Sequence, residues 1–521
     1  MPNAIITDQF RILNAKNFVD SINNVDDQYY LFVSLPNPTT IGFGRTDVWD
    51  SNTPDPLDSF SYENHVRNTI LFGKKITSEN TKRLVRRIDW VQGTRYEMYR
   101  DDYSINNPSP LTQSTRLYDA NYYVMNSNYR VYLCIDNGSS GTNILGNASL
   151  DEPNFTDLEP SRAGESNDGY IWKYLYTVSP TDIIKFDSTE YIPVPSDWDT
   201  STNGEIRQIR ENGNSDNNNN QIKKIFIQKK GLNYQIPDTG ARCKILGDGN
   251  GAEALIQTNS VGEISQVDIS SGGSGYTYGV VDLGQYNTTV SVGGSFAELI
   301  PIIPPSKGHG FDIYKELGSD RVLIYARFDD STKLFPIDTN FAQVGIIKNP
   351  SQYDSNTTLN QNQFSGVFSL KLNESNLSVS IGDIITQRVT DENGATVIAK
   401  GYVASYDNET KVLKYVRDRS LYYDDSFTAK DYIGISSESK IVEFQSTSNQ
   451  ISPISATIDT SFEGNVVTVN NKVIDLGVEF QQGIANPDIN SKNGDIIYLN
   501  NRPTISRNTR QKEDIKIILE F

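Results

Sequence analysis

Carboxylates are the most abundant reactive groups in this chain of 521 residues, with 65 Asp and Glu against 47 Lys and Arg. Adjacent pairs such as Asp151 with Glu152, or Asp424 with Asp425, have the residue types of glycosidase chemistry. There one acid protonates the leaving oxygen while the other, about 5–10 Å away across a cleft, acts as base or nucleophile. Adjacent acids on a loop are ordinarily just solvated, so these pairs assign no catalyst. Gly247-Asp248-Gly249-Asn250-Gly251 has the glycine density of a phosphate loop. No Lys-Ser/Thr and no helix follows it, and it reads as a hairpin turn rather than a phosphate or calcium site. Lys307-Gly308-His309-Gly310 reads as a turn too. With His65 and His309 the only histidines, a His-rich metal site is excluded. Cys134 and Cys243 stand far apart and read as buried thiols without a redox or disulfide role. No catalytic residue, cofactor or metal site is assigned.

One basic segment needs weighing. Lys82, Arg83, Arg86 and Arg87 are followed by Trp90, Arg95, Tyr96 and Tyr99, an interleaving that suits single-stranded nucleic acid. The net charge of 47 − 65 = −18 argues against that use, because sequence-independent nucleic-acid binding needs a basic surface to displace counterions. The arginines read instead as stacked on aromatics at a core rim or a subunit interface. The N-terminus carries an acid early and is no signal peptide. No apolar stretch approaches the ~20 residues of a membrane span. A soluble protein made in a cytoplasm is expected, with no nucleic-acid or membrane partner.

The elements that must position such residues are mostly strands. Tyrosine and phenylalanine, 29 and 21 residues, carry much of the modest 36% apolar content, and aromatic residues favour strands. The stretch Asn167–Pro180 organises the rest: an Asp-Gly turn, then Tyr170, Trp172, Tyr174 and Tyr176 alternating with Ile171 and Leu175. Apolar on both faces, it reads as a central strand. Glu190–Pro195 is an edge or exit segment because of its prolines. Helices are predicted over 8–24, with Phe10, Leu13, Phe18 and Ile22 as the apolar face, and over 58–76, with Val66, Ile70 and Leu71 inward. Strands are predicted over 28–35, 121–125, 128–135, 321–328 and 341–348, and then at 381–386, 397–405, 412–418, 441–445 and 466–473. The polar excursion 136–166 is long enough to require a partner to order it. Residues 213–220 and 355–363 read as polar linkers. Between them, Ile222, Ile225, Ile227, Gly231 and Tyr234 recur as Ile264, Val267, Ile269, Gly273 and Tyr276 at an offset of 264 − 222 = 42 residues, a duplicated strand and Gly-Tyr turn. The C-terminal Ile515, Ile517, Leu519 and Phe521 alternate as one face of a docked strand. The fold class expected is mainly β: a multi-domain, β-sandwich-like core with two inserted small β modules and few short helices.

Several of these motifs occur together in a recognisable order. They are Phe10-Arg11 with Asn17-Phe18 and Ser21-Ile22, Phe43-Gly44-Arg45, Trp49-Asp50-Ser51-Asn52, Arg87-Ile88-Asp89-Trp90, Thr94-Arg95-Tyr96, Val131–Asp136 and Asp168–Leu175. Glu190–Pro195, Ile346–Pro350, Gly494–Tyr498, Asn501-Arg502-Pro503 and the final strand complete the series. The series resembles the baseplate wedge subunits of the gene product eight family of T-even-like contractile-tailed bacteriophages, in a cyanophage-type form with two insertions. The resemblance implies a division into 1–205 as the first part of a β-rich wedge core and 206–310 as an inserted Gly/Tyr-repeat module. Residues 311–354 return to the core, 355–480 form a second barrel- or sandwich-like insertion, and 481–521 are C-terminal strands completing the core. It further implies a non-enzymatic homodimer without cofactor that contacts other wedge subunits, resident in the virion tail baseplate after assembly in the host cytoplasm. Trp, Tyr and Arg dominate interface energetics, and Trp49, Arg95 and Tyr96 are the candidate interface residues; Trp172, on its two-faced strand, is assigned to the core. The competing reading is a tail-associated glycan-binding or glycan-cleaving protein.

Overall fold

The computed structural model describes residues 6–36, 49–213, 221–286, 294–329, 332–390, 394–418, 421–423, 429–431, 434–445, 454–508 and 511–521. The motif Phe43-Gly44-Arg45, most of the 213–220 run and the Asp424–Asp425 pair lie outside them. The protein is mainly β, 42% strand and 12% helix. It forms two compact units, one of residues 1–17, 82–323 and 518–521, the other of 18–81 and 324–517.

In the first unit, strands Tyr123–Met125, Arg130–Asn137 and Tyr170–Thr177 form an antiparallel sheet in that order. Tyr170, Trp172, Tyr174, Leu175 and Tyr176 are all buried, as the composition of that strand predicts. Its place differs from the prediction, because Arg130–Asn137 is central and Tyr170–Thr177 is an edge. The edge is nonetheless closed: Ser161 and Trp172 exchange N–H···O=C hydrogen bonds at 2.9 Å. A strand buried on both faces needs a partner for its outer backbone groups, and the polar excursion supplies one.

The excursion is held by its own unit rather than awaiting a partner. Asn126 Nδ2 donates to Pro153 O at 2.8 Å, the Tyr132 hydroxyl to Phe155 O at 2.7 Å, and the Tyr170 hydroxyl to Asn147 O at 2.8 Å. Asp168 Oδ2 accepts from Leu150 N at 2.8 Å while its Oδ1 accepts from Tyr170 N at 2.9 Å. One carboxylate thus joins the turn to the excursion. Gly169 follows with φ +90°, and a Cβ there would lie 2.9 Å from Gly138 Cα. Glycine alone fits that approach. Lys173, fully buried in the same strand, donates to Leu158 O.

The duplicated segment forms a second core in this unit. Strands Ile264–Ser274, Asn250–Thr258, Ala241–Gly247 and Gly279–Val281 make one sheet, and Ile225–Lys229 pairs with Glu298–Pro301. The repeat has a structural counterpart. Gly231 and Gly273 both take positive φ, 67° and 60°. Three residues on, the buried tyrosine hydroxyls accept backbone N–H groups, Tyr234 from Ala297 at 2.9 Å and Tyr276 from Ala252 at 3.2 Å.

The second unit has a five-stranded antiparallel sheet in the order Gln363–Ser365, Ile70–Lys75, Tyr29–Ser34, Thr339–Lys348, Asp495–Arg507. It also has a seven-stranded one, Ile454–Thr457, Ile441–Gln445, Ile384–Thr390, Thr396–Asp407, Val412–Arg417, Phe368–Lys371, Ile484–Ala485. Four local expectations are corrected. The helix over 58–76 is a helix only at Phe60–Thr69, and Ile70–Lys75 runs on as a strand; its apolar residues belong to two elements. The strand at 466–473 is a hairpin, Gly464–Val469 with Lys472–Phe480, turned by Asn470-Asn471 at φ 50° and 61°, a two-residue turn Asn tolerates. In the helix Asp8–Asn23 the buried residues are Ile12, Ala15 and Ile22, whereas Phe10 and Leu13 are about half exposed; of the predicted face only Ile22 is buried. Finally, 355–363 is no linker. Leu359 is fully buried, and the Tyr30 hydroxyl donates to both Leu359 O and Gln361 O. In the terminal strand Glu513–Glu520, Ile517 is buried while Lys516, Ile518 and Glu520 are exposed, the alternation expected.

Two outcomes follow from this packing. A broad-specificity protease is expected to spare 355–363, and a first cut mapped there by mass spectrometry would contradict the docking of Leu359. Burial holds the Lys173 ammonium at a pKa of about 8 against 10.5 for the exposed group. Between those values the unfolded chain carries a proton the native chain lacks, so this lysine makes stability rise as pH rises. The stability difference between wild type and Lys173→Met should shift by about 1.5 kcal/mol in favour of wild type from pH 8 to 9.5. Urea unfolding across that range measures it, and a constant difference would refute the buried, titrating lysine.

Candidate interaction surface

Among the described residues, those whose types suggested catalysis are engaged in local structure. Asp151 Oδ2 accepts from Ser166 N at 2.8 Å, and its hydrogen bonds to Ser166 hold its carboxyl below the usual range. Glu152 Oε1 accepts from Ser127 N at 2.7 Å. The two neighbours thus fasten different segments. Asp248 latches a turn, accepting from Thr277 N at 2.9 Å and Tyr278 N at 3.3 Å. His309 is buried with Nδ1 2.5 Å from Glu316 Oε1, and its ring meets Tyr99 edge-on. Both thiols are buried and unpaired with each other; burial raises the pKa of each, that of Cys243 to about 11. Among the described residues no group of three or more His, Cys, Asp and Glu is arranged to hold a metal ion.

The basic segment is engaged within the first unit. Arg83 donates to Ser319 O at 2.6 Å, with its guanidinium 4.0 Å over the Tyr314 ring. Arg86 donates to Asp119 O, Ala120 O and Asn121 Oδ1. Arg87 grips Asp187 through both carboxylate oxygens at 2.9 Å, and Lys82 lies 3.3 Å from Asp182. The core-rim reading of these arginines is the one the contacts follow, and burial makes such charge-assisted bonds to carbonyls worth more than exposed pairs.

The three candidate interface residues separate. Trp49 is 2% exposed; its indole N–H donates to Arg502 O at 2.7 Å. Asp50 Oδ1 accepts from Thr504 N at 2.7 Å, and Pro54 O accepts from Asn501 Nδ2 at 2.8 Å. The segment 49–54 therefore closes the outer edge of Asp495–Arg507, a sheet-edge strand that would otherwise present bare backbone. Tyr96 is also 2% exposed. Its hydroxyl accepts from Val91 N at 2.6 Å, so it fixes the 91–95 turn from beneath. Arg95 stands at the surface. Trp49 and Tyr96 have no area to offer a partner, because each satisfies backbone groups of its own unit.

What Tyr96 positions is a rigid knuckle that sequence reasoning did not identify. Gly93 N donates to Ser149 O at 2.7 Å, Ser149 N to Thr94 O at 2.8 Å, and Trp90 Nε1 to Ser149 Oγ at 3.0 Å. Gln92 Nε2 donates to Leu150 O at 3.0 Å. The knuckle presents Val91, 57% exposed, and Leu150, 42% exposed, beside Arg95. Apolar side chains held at the surface by a fixed backbone are suited to contact. No signal in the sequence marked either residue: Val91 lies four residues before Arg95 in an irregular stretch, and Leu150 lies in the excursion, whose docking no local pattern announces.

Trp49→Ala is expected to destabilise by about 3–5 kcal/mol, whereas Arg95→Ala should stay within about 0.5 kcal/mol of wild type. Denaturant unfolding compares them, and equal effects would overturn the separation of core from surface.

The recurrent motifs meet in space. In the second unit Ile346 and Ile347 lie opposite Tyr498 and Ile496, and Asn349 exchanges hydrogen bonds with the backbone of Gln28 at 2.7 Å. In the first, Tyr96 N donates to the Tyr170 hydroxyl at 2.8 Å, Val85 lies opposite Ile192, and Cys134 lies opposite Trp172. No family model matches the chain. It is 26% identical over 216 residues to the baseplate wedge protein gp8 of Enterobacteria phage T4, a match covering 37% of this chain. The chain spans 60% of that relative's length. Motifs distant in sequence that pair as strands and caps, together with this match, make the chain a distant relative of the gp8-like family.

Proposed function

We propose that this protein is a structural subunit of a phage tail baseplate wedge that acts by assembly with other wedge subunits and performs no chemistry of its own. The observation that carries the reading is the match to the T4 wedge protein gp8. Consistent with it, Asp151, Glu152 and Asp248 are engaged in holding loops and turns. The protein works as a homodimer in the virion baseplate, assembled in the host cytoplasm. Its wedge core comprises 1–205, 311–354 and 481–521, and the segments 206–310 and 355–480 are additions to that core. The 91–95 knuckle with Leu150 is the contact we assign to a neighbouring wedge subunit. It is rigid before binding, which lowers the entropy cost of association.

Co-expression with the remaining wedge subunits, followed by affinity capture and sizing, tests this. The protein should run as a dimer and be captured. Val91→Asp combined with Arg95→Glu should weaken capture at least tenfold, about 1.4 kcal/mol, without lowering the unfolding midpoint. A monomer that binds no wedge subunit, or a chain that hydrolyses a glycan, would overturn the proposal.

A further inference from the structure

A cleft of about 670 Å³ lies within the second unit, in the size range of small-molecule sites (about 300–1,000 Å³). Its wall mixes the ammoniums of Lys74 and Lys75 with the carboxylates of Asp329, Asp475 and Asp488, and with several amides. Among its described lining residues Leu334 is the sole purely aliphatic side chain. That composition rules out classes of ligand in turn. An apolar molecule would meet one leucine and would strip water from charged groups. An anion would face three carboxylates, and a cation two ammoniums.

The hydrogen-bonding state of the wall narrows the choice further. Lys74 Nζ already donates to Arg327 O at 3.0 Å and Lys75 Nζ to Asn360 Oδ1 at 2.6 Å. Asp475 Oδ1 accepts from Gly477 N at 2.8 Å and Asp488 Oδ2 from Ser365 N at 2.7 Å. The second oxygen of each carboxylate, and the exposed side-chain amides of Gln361 and Asn362, have no hydrogen-bond partner among the described residues and are open to water or a ligand. Burial pushes the Asp488 pKa above the usual carboxylate range, a sign that its charge is under-solvated. The unmatched set is therefore acceptor-only oxygens beside amides that both give and take. A ligand with adjacent hydroxyls answers both, since each hydroxyl donates one hydrogen and accepts up to two.

We propose that this cleft binds a neutral carbohydrate, with Asp475 and Asp488 accepting from its hydroxyls and Gln361 and Asn362 completing the contacts. The site is independent of the wedge reading, because none of its residues belongs to the motifs on which the resemblance to the gp8-like family was read. Saturation-transfer NMR on the full chain tests it with glucose, galactose, mannose, N-acetylglucosamine and their disaccharides. Glucuronate, inorganic phosphate and arginine serve as charged probes. At least one neutral sugar should receive saturation. Gln361→Ala with Asn362→Ala should weaken its binding at least tenfold while leaving the unfolding midpoint unchanged. Asp475 and Asp488 fasten backbone, so the amide variants are the ones that separate binding from folding. Saturation of charged probes alone, of no probe, or of a sugar equally in wild type and the amide variant would overturn the proposal, whatever the outcome with wedge subunits.

Discussion

Backbone groups without a strand partner are the constraint this fold is built around. The chain is rich in long polar segments, and each buried N–H or C=O in them costs about 1–3 kcal/mol if left unmade. The structure answers with side chains whose polar ends are aimed at the main chain. Asp168 takes two N–H groups, Asn126 and Tyr132 reach Pro153 and Phe155, Arg86 collects two carbonyls, and Trp49 caps Arg502. Tyrosine suits this work because its ring fills core volume while its hydroxyl reaches beyond it. The abundance of tyrosine, asparagine and aspartate is thus a consequence of how much irregular chain must be held against small sheets.

That constraint also decides what was legible in the sequence. Strands such as Tyr29–Ser34, Arg321–Phe328 and Ile441–Gln445 were placed nearly to the residue, because burial on both faces, as in the first, or on alternate residues, as in the last, writes itself into local composition. The 42-residue repeat was legible for the same reason, since each copy needs its own left-handed glycine and its own tyrosine. Sheet position was not. Tyr170–Thr177 reads as central but lies at an edge, and the difference is made by Ser161, which sits in a segment with no periodicity. The docking of 355–363 was hidden likewise: a single leucine in a polar run anchors it.

The candidate surface shows a related ambiguity. Trp, Tyr and Arg are enriched in hot spots, but they are equally the residues that fill a core while donating to a carbonyl. Trp49 and Tyr96 do the second. Only Arg95, whose side chain reaches the surface, remains available, and its neighbours Val91 and Leu150 were invisible because their exposure depends on a turn closed by Ser149. In a tyrosine-rich chain, residue type alone does not distinguish anchor from core. Hydrogen-bond partners do.

The motifs that carry the resemblance and the cleft occupy different parts of the second unit's architecture. Ile346–Pro350, Gly494–Tyr498 and Asn501-Arg502-Pro503 form the interior of the five-stranded sheet and its closed edge, joining residues more than a hundred positions apart. Long-range pairing of that kind carries a loop-closure cost that only well-packed partners offset. The cleft wall comes instead from strand ends, a hairpin base and connecting segments. Within it Asp475 and Asp488 fasten backbone, whereas the exposed side chains of Gln361 and Asn362 hold no part of the register. The framework held by distant pairing thus leaves the side-chain amides of the cleft wall free of structural duty, and binding chemistry can be carried on a structural scaffold by residues that do not build it.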